Sequence, residues 1–176
     1  MTRSSAPAAV KPFYIHATAV KIGKAGLLIR GPSRAGKSSL ALALLAEAAR
    51  LSLHGRLIGD DRISIECSDE GLLMRGHPAI LGKIERRGEG ILDVAWEPAA
   101  IANYVIDLSR ETFESPFRSA STWMATIQLP LFTLPHGVCA AERAKLLLPL
   151  LQDVQGSCED GRRTVGNPCP QSDLSP

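Results

Sequence analysis

Gly26-Leu27-Leu28-Ile29-Arg30-Gly31-Pro32-Ser33-Arg34-Ala35-Gly36-Lys37-Ser38-Ser39 is the stretch that decides the fold. Residues 31–38 spell a complete GxxxxGKS phosphate-binding loop, with an apolar run before it and an Ala/Leu-rich helical pattern after it. Those flanks matter because such a loop works only between a strand and a helix. The helix beyond it aims free amides, and the positive end of its dipole, at any anion seated in the loop. Gly31 and Gly36 let the backbone curl around phosphate oxygens without a side chain in the way. Lys37 reaches the outer phosphates of a nucleotide, and Ser38 has the short hydroxyl that binds a magnesium ion riding on them. Pro32, Ser33, Arg34, Ala35 and Ser39 complete the candidate nucleotide-binding set. Arg34 stands where many such loops carry glycine. It either adds a phosphate contact or crowds the loop, and both readings stay open.

Working outward, residues 13–21 and 24–30 read as two strands joined by a turn near Gly23. The helix over 38–51 is the strongest in the chain, with Leu40, Leu44, Leu45 and Leu51 expected to face one core. Further strands are predicted at 56–59, 62–66, 71–75, 91–94, 104–108, 124–129 and 131–134, and a terminal helix at 139–151, weakened near its end by Pro149. With so few helices among so many strands, β-α-β alternation is missing. The pattern predicts an α/β fold: a mixed sheet around the loop, one main helix after it and a C-terminal helix. Residues 1–12 read as a flexible start, 13–152 as the domain, and 153–176, rich in Gly, Pro, Ser and charge, as a disordered tail.

Leu57-Ile58-Gly59-Asp60-Asp61 is an apolar strand ending in two adjacent carboxylates. In phosphoryl-transfer enzymes built on this loop, an acid at such a strand end reaches the metal, and a second can accept a proton from an attacking hydroxyl. Like charges in contact raise one pKa, which suits a group that acts as base and then acid.

Bulk properties exclude other classes. A chain of 176 residues fits one domain with a real core. A net charge of +2 and an aromatic content of 5% suggest no nucleic-acid footprint. No apolar run is long enough for a bilayer, and the start lacks a secretory signal. Cys67, Cys139, Cys158 and Cys169 show no metal-ligand spacing and read as reduced thiols, so the expected location is cytoplasmic. His54 and His77 read as solvated turn residues, Trp96 and Trp123 as core or interface anchors, and Arg75, Lys83, Arg86 and Arg87 as a possible basic patch that would steer an acidic partner.

Glu85-Arg86-Arg87-Gly88-Glu89-Gly90-Ile91-Leu92-Asp93-Val94 is the remaining unusual segment. Together with Tyr14-Ile15-His16 ahead of the loop, the loop itself, and Gly59-Asp60-Asp61-Arg62, it resembles the catalytic domain of HPr kinase/phosphorylase over roughly residues 16–94. Segment 85–94 looks like that family's hallmark, Glu-x-Arg-Gly-x-Gly-Ile-Ile-Asp-Val, with Leu92 as a conservative change. The resemblance implies the HPr kinase / PEP carboxykinase-like P-loop fold, ATP and Mg2+ as cofactors, and phosphorylation of a serine on the phosphocarrier protein HPr, using ATP or pyrophosphate. The reverse reaction uses inorganic phosphate and forms pyrophosphate. By the same resemblance Asp61 is the base, Lys37 holds the phosphates, and His16 lies near the transferred group. Ser38 and Glu85 are magnesium ligands, Asp60 also serves the metal, and Arg118 is the best match for the catalytic arginine. It further implies a homo-oligomer, usually a hexamer.

Two departures shape the expectation. Only about a dozen residues precede Tyr14, as in a short form made of the kinase domain alone. Residues 114–119 match the family's Asp-Arg-Leu-Gly poorly, and its Pro-Gly-Arg-Asn loop is reduced to Pro135-His136-Gly137. Kinase activity is therefore expected, with phosphorolysis in question. Two other readings remain: a P-loop kinase of a small molecule, and a nucleotide-sensing regulator without catalysis.

Overall fold

The computed structural model of the chain describes residues 12–109, 120–134 and 138–157, with side chains of the last helix as far as Leu151. The chain passes through β1 (Phe13–Ile15), β2 (Ala17–Ile22) and β3 (Ala25–Arg30) into α1 (Lys37–Arg50). It continues through β4 (Gly55–Gly59), β5 (Ile63–Ser68), β6 (Gly71–Gly76), a single 3-10 turn, β7 (Lys83–Arg86) and β8 (Gly90–Asp93). The long β9 (Ala99–Asp107), then β10 (Ala120–Met124), β11 (Ile127–Thr133) and α2 (Ala140–Ser157) complete it. One sheet runs β1-β5-β6-β9-β3-β2-β4, with β11 and then β10 joined to β9, while β7 and β8 pair apart from it. The architecture is mixed α/β with two helices, as the sequence predicts.

β9 is the central strand because it is long enough to serve three neighbours. Residues 99–102 pair antiparallel with β6, residues 105–107 pair parallel with β11, and β3 runs parallel along the opposite edge. Two apolar cores form, one on each face of the sheet. Alternation along the strands divides the side chains between them. Val20, Ile22, Leu27 and Ile29 face α1 and α2, while Ala17, Ala19 and Leu28 face the second core with Ile58, Ile63, Ile65 and Met74. In β9 the alternation changes phase. Ala100 and Ala102 enter the second core, yet Tyr104 and Ile106 enter the helical one. A register shift explains the switch: Gly26 pairs with Ala102 but Leu27 with Tyr104, so Asn103 is extra. The Asn103 side-chain oxygen accepts the Gly26 amide at 2.8 Å, satisfying the interrupted ladder.

α1 buries Leu40, Ala41, Leu44 and Ala48, one stripe at helical spacing. Each such leucine contributes about 2 kcal/mol of burial. The expectation for Leu51 is corrected: the helix ends at Arg50, and Leu51 turns out to solvent at the cap. Leu45 is only half-buried.

Other boundaries differ for identifiable reasons. The strand predicted over 13–21 breaks at His16, where pairing passes from β5 to β3 and β4. The strands predicted at 124–129 and 131–134 are one strand, β11, which runs through Pro130, preceded by a turn at Ala125 and Thr126 and by β10. Proline is tolerated there because residues 127–130 pair with β10 alone, leaving an open edge on their other side. α2 carries Pro149 in its interior and still reaches Ser157, beyond the point where the sequence suggests a tail. The expected flexible start lies outside the described residues apart from Pro12, and the rest of the tail does so from residue 158.

Candidate active site

β3 delivers the chain to the loop at Gly31, and α1 begins at Lys37. Gly31 has φ 152°, and a Cβ on it would stand 3.0 Å from the Leu108 Cβ, so the loop lies down on the end of β9. Gly36 caps α1 with φ 92°, leaving the first-turn amides facing the concavity of the loop. Arg34 takes a left-handed φ of 70° with its side chain in solvent, so it does not fill the cradle. Lys37 is buried and turns back on its own loop. Its ammonium donates to the carbonyls of Gly31 and Pro32 at 3.1 Å each, and lies 2.8 Å from His16 Nε2. Burial pulls the Lys37 amine below its ordinary range, against the opposing pull of Asp60 and Asp61.

The paired acids sit where β4 crosses β6 at very close range. A Cβ on Gly59 would lie 2.7 Å from Gly76 Cα, and one on Gly76 would lie 2.2 Å from the Ile58 carbonyl oxygen. Only glycine permits that approach, and it sets the corner that carries the two acids. Asp60 points inward and is buried. Its Oδ1 accepts the Thr18 hydroxyl at 2.6 Å, its two oxygens lie 3.1 and 3.0 Å from Ser38 Oγ, and its Oδ2 accepts the Glu85 amide at 3.3 Å. Asp61 points the other way: its side chain is 70% exposed and its backbone is left-handed at φ 65°. Such strain in a non-glycine residue persists only where the surroundings hold it. Here His16 Nδ1 holds the Asp61 carboxylate at 2.9 Å. One neutral tautomer serves both contacts of His16, with Nδ1–H donating to Asp61 and Nε2 accepting from Lys37.

The hallmark segment forms the β7–β8 hairpin, with Gly88 at φ 85° and Gly90 at φ 92° making its bend. Ile84 anchors the hairpin in the helical core, while the Glu85 side chain is exposed and only its amide touches Asp60. Among the described residues no three acids, histidines or cysteines converge as a metal cluster. The donor set that does converge is Ser38 Oγ with the Asp60 carboxylate, whose hydrogen-bond partners among the described residues are all uncharged donors. Hard oxygen donors carrying a negative charge, with no ion pair to it among the described residues, suit magnesium, which takes one or two carboxylates and keeps its waters.

Several sequence expectations meet their surroundings here. Arg118 and the Pro135-His136-Gly137 loop lie outside the described residues. The expected basic patch is largely neutralised: Lys83 pairs with Asp93, Arg86 with Glu89, and, more loosely at 4.0 Å, Arg75 with Glu66. His54 is exposed, as expected, and lies 2.6 Å from Glu97, which also holds Lys21. Trp96 and Trp123 are exposed, so neither is a core anchor. Two residues were missed. Thr18 showed itself only as a hydroxyl between alanines in an apolar strand. Asp107, at the end of β9, is buried against Arg30 at 2.9 Å and accepts from Ser109. Burial pushes its pKa up, but the Ser109 and Arg30 hydrogen bonds outweigh this and hold it below the usual carboxylate range.

Known proteins share this arrangement of chain. HPr kinase/phosphorylase of Streptococcus thermophilus is 42% identical over 82 residues, which is 46% of this chain and 24% of that protein. That of Levilactobacillus brevis is 41% identical over 81 residues, with the same shares of 46% and 24%. The chain thus spans about a quarter of the length of the curated relatives it matches. The solved structure of the HPr(Ser) kinase/phosphatase from Coxiella burnetii superposes with a TM-score of 0.69 at 22% identity, over 84% of this chain and 99% of that one, which establishes likeness of fold. No helix among the described residues is long and apolar enough to cross a membrane. The model of the HPr Serine kinase C-terminal domain matches residues 9–97, from ahead of the loop to the end of the hallmark hairpin, and the chain belongs to that family.

Proposed function

We propose that the chain carries an ATP-dependent serine kinase activity directed at the phosphocarrier protein HPr, as part of phosphotransferase-system regulation. The observation that carries this reading is a pair of contact chains lying side by side: Lys37 to His16 to Asp61, and Ser38 to Asp60. Phosphoryl transfer asks for positioning and charge compensation more than for covalent chemistry, and these two chains supply its separate parts.

Lys37 would exchange the Gly31 and Pro32 carbonyls for the outer phosphates of ATP, so the loop itself holds the cation that the phosphates need. Ser38 and Asp60 would hold Mg2+, with the Glu85 side chain reaching it from β7. When bound, that ion supplies neutralisation of phosphate charge. Asp61, on the rim and open to solvent, would accept the proton of a serine hydroxyl presented by a second protein. A base for a protein-borne hydroxyl has to be reachable from outside, and the outward turn at Asp61 meets that need. His16 would keep Asp61 and Lys37 in register. The same Asp61 would return the proton if phosphate attacked phosphoserine-HPr.

Purified protein, labelled ATP, magnesium, and HPr with or without its target serine test the reading. Label should enter HPr only when the serine is present, and not with Asp61→Asn. Labelling of HPr lacking that serine, or none at all under these conditions, would overturn it. Phosphate-dependent release of label from phosphoserine-HPr measures the reverse activity separately.

A further inference from the structure

We propose that Thr18 is a positioning residue that sets the protein's affinity for the divalent cation accompanying the nucleotide. The inference rests on the reading of Ser38 and Asp60 as the metal end of the site, and adds a residue that neither the loop nor the hallmark contains.

Thr18 is fully buried near the start of β2, on the strand face that carries Val20 and Ile22 into the helical core. Burying a hydroxyl costs free energy unless it is hydrogen-bonded. The Thr18 hydroxyl donates a short bond to Asp60 Oδ1, at 2.6 Å. That bond reaches across from β2 to the residue just after β4, at the place where the two strands pair Ala19 with Gly59. Asp60 therefore has three tethers: Thr18 on one oxygen, the Glu85 amide on the other, and Ser38 on both. A cation held by Ser38 and Asp60 would use the Ser38 oxygen as a ligand, so Ser38 would no longer support the carboxylate independently of the ion. The Thr18 hydroxyl and the Glu85 amide are then the donors that keep the carboxylate plane fixed. Thr18 carries more of this role, since its bond is 2.6 Å and the amide's is 3.3 Å. Groups that orient a metal-binding carboxylate typically alter metal affinity about 10- to 100-fold when removed.

Thr18→Val keeps the shape and β-branching of the side chain and removes the hydroxyl; Thr18→Ser keeps the hydroxyl. Calorimetric titration of ATP, with and without magnesium, reads binding apart from turnover, and thermal unfolding of each protein without ligand reads folding. Thr18→Val should lose about 10-fold or more of the magnesium-dependent gain in ATP affinity. Its affinity without magnesium should be unchanged, and Thr18→Ser should retain the gain. If Thr18→Val does not fold, Thr18→Ala takes its place with the same expected loss. Equal magnesium dependence in Thr18→Val and the unaltered protein overturns this inference alone, as does an equal loss in Thr18→Ser. Absence of magnesium-dependent ATP binding by the unaltered protein overturns the metal-site reading, and this inference falls with it.

Discussion

Asp60 and Asp107 are both buried carboxylates beside the phosphate loop, Asp60 just after the end of β4 and Asp107 at the end of β9. They are held in opposite ways. Asp107 meets the guanidinium of Arg30, its parallel partner in the ladder, and the amide of Ser109. Its charge is matched within the protein. Asp60 meets two hydroxyls and an amide, and its charge is left to be balanced by something nearby or something that binds. Lys37 lies close enough to be influenced by it but spends its hydrogen bonds on Gly31, Pro32 and His16. The contrast separates a carboxylate that secures the fold from one that is suited to a cation. Asp61, one residue on, is a third kind: exposed, strained and aimed outward.

The largest effect is expected where the contrast is sharpest, at Asp61. Asp61→Asn should lower phosphoryl transfer to HPr by about 10³-fold, the size associated with a general base. ATP affinity and thermal stability should hold, because the residue is exposed and its ion-pair partner among the described residues is His16. Single-turnover transfer measured beside nucleotide titration checks this. A parallel fall in ATP binding would move Asp61 from proton transfer to nucleotide grip.

Exchanging charge for amide at the two buried sites comes next and should split cleanly. Asp107→Asn leaves Arg30 without its ion partner and should cost about 2–3 kcal/mol of unfolding free energy, below the full value for a buried pair because Arg30 is 30% exposed. Asp60→Asn removes a carboxylate that has no ion partner among the described residues and leaves one of its donors unmatched, so its cost should stay below that of Asp107→Asn. Magnesium-dependent ATP binding, however, should drop about 10-fold or more. Denaturant unfolding of both variants, with ATP titrations, decides the matter. Equal destabilisation would erase the distinction between them.

A smaller effect follows from protonation. Asp107 has a folded pKa below its unfolded value near 3.9, so its stabilisation is complete above that pH and is lost as pH falls through the folded value. The stability gap between the unaltered protein and Asp107→Asn should therefore be constant from neutral pH down to about 5 and narrow below 4. Unfolding curves across that range would show it, and a gap that widened in acid would reverse the sign assigned here.

The same division explains what sequence could and could not reveal. The loop, α1 and the β5–β6 hairpin were legible because their signals are local: two glycines around a Lys-Ser pair, a helical stripe of leucine and alanine, and a polar turn between short apolar runs. Asp60 and Asp61 were legible as a pair, but their opposite directions were not. That divergence depends on a crossing of β4 and β6 through Gly59 and Gly76, residues far apart in sequence. The Arg30–Asp107 pairing was hidden for a similar reason, since parallel register places side chains together without any local pattern. The early part of β9 escaped notice because the extra residue at Asn103 reverses its alternation. β10 and β11 were misread because Pro130 reads as a break, although in this strand it faces an open edge. Thr18 had nothing to mark it except polarity between two alanines, and its partner is 42 residues away.

The smallest expected effect concerns Arg34, the residue whose role in the loop the sequence leaves open. Its side chain is in solvent and its backbone has φ 70°, the region that glycine occupies without penalty. A left-handed conformation costs a residue with a Cβ about 1–2 kcal/mol. Glycine relieves that strain but adds entropy to the unfolded chain, roughly 0.5–1 kcal/mol in the opposite direction. The two nearly cancel, so Arg34→Gly should stabilise the protein by no more than about 1 kcal/mol. If the exposed guanidinium nevertheless folds over a bound nucleotide, Arg34→Gly should weaken ATP binding and steepen no other property. If it does not, ATP affinity should stay within about 2-fold at moderate salt, where exposed charges are screened. Comparing that affinity at low and moderate ionic strength separates a direct phosphate contact from the general pull of one surface charge, because added salt weakens the direct contact much less.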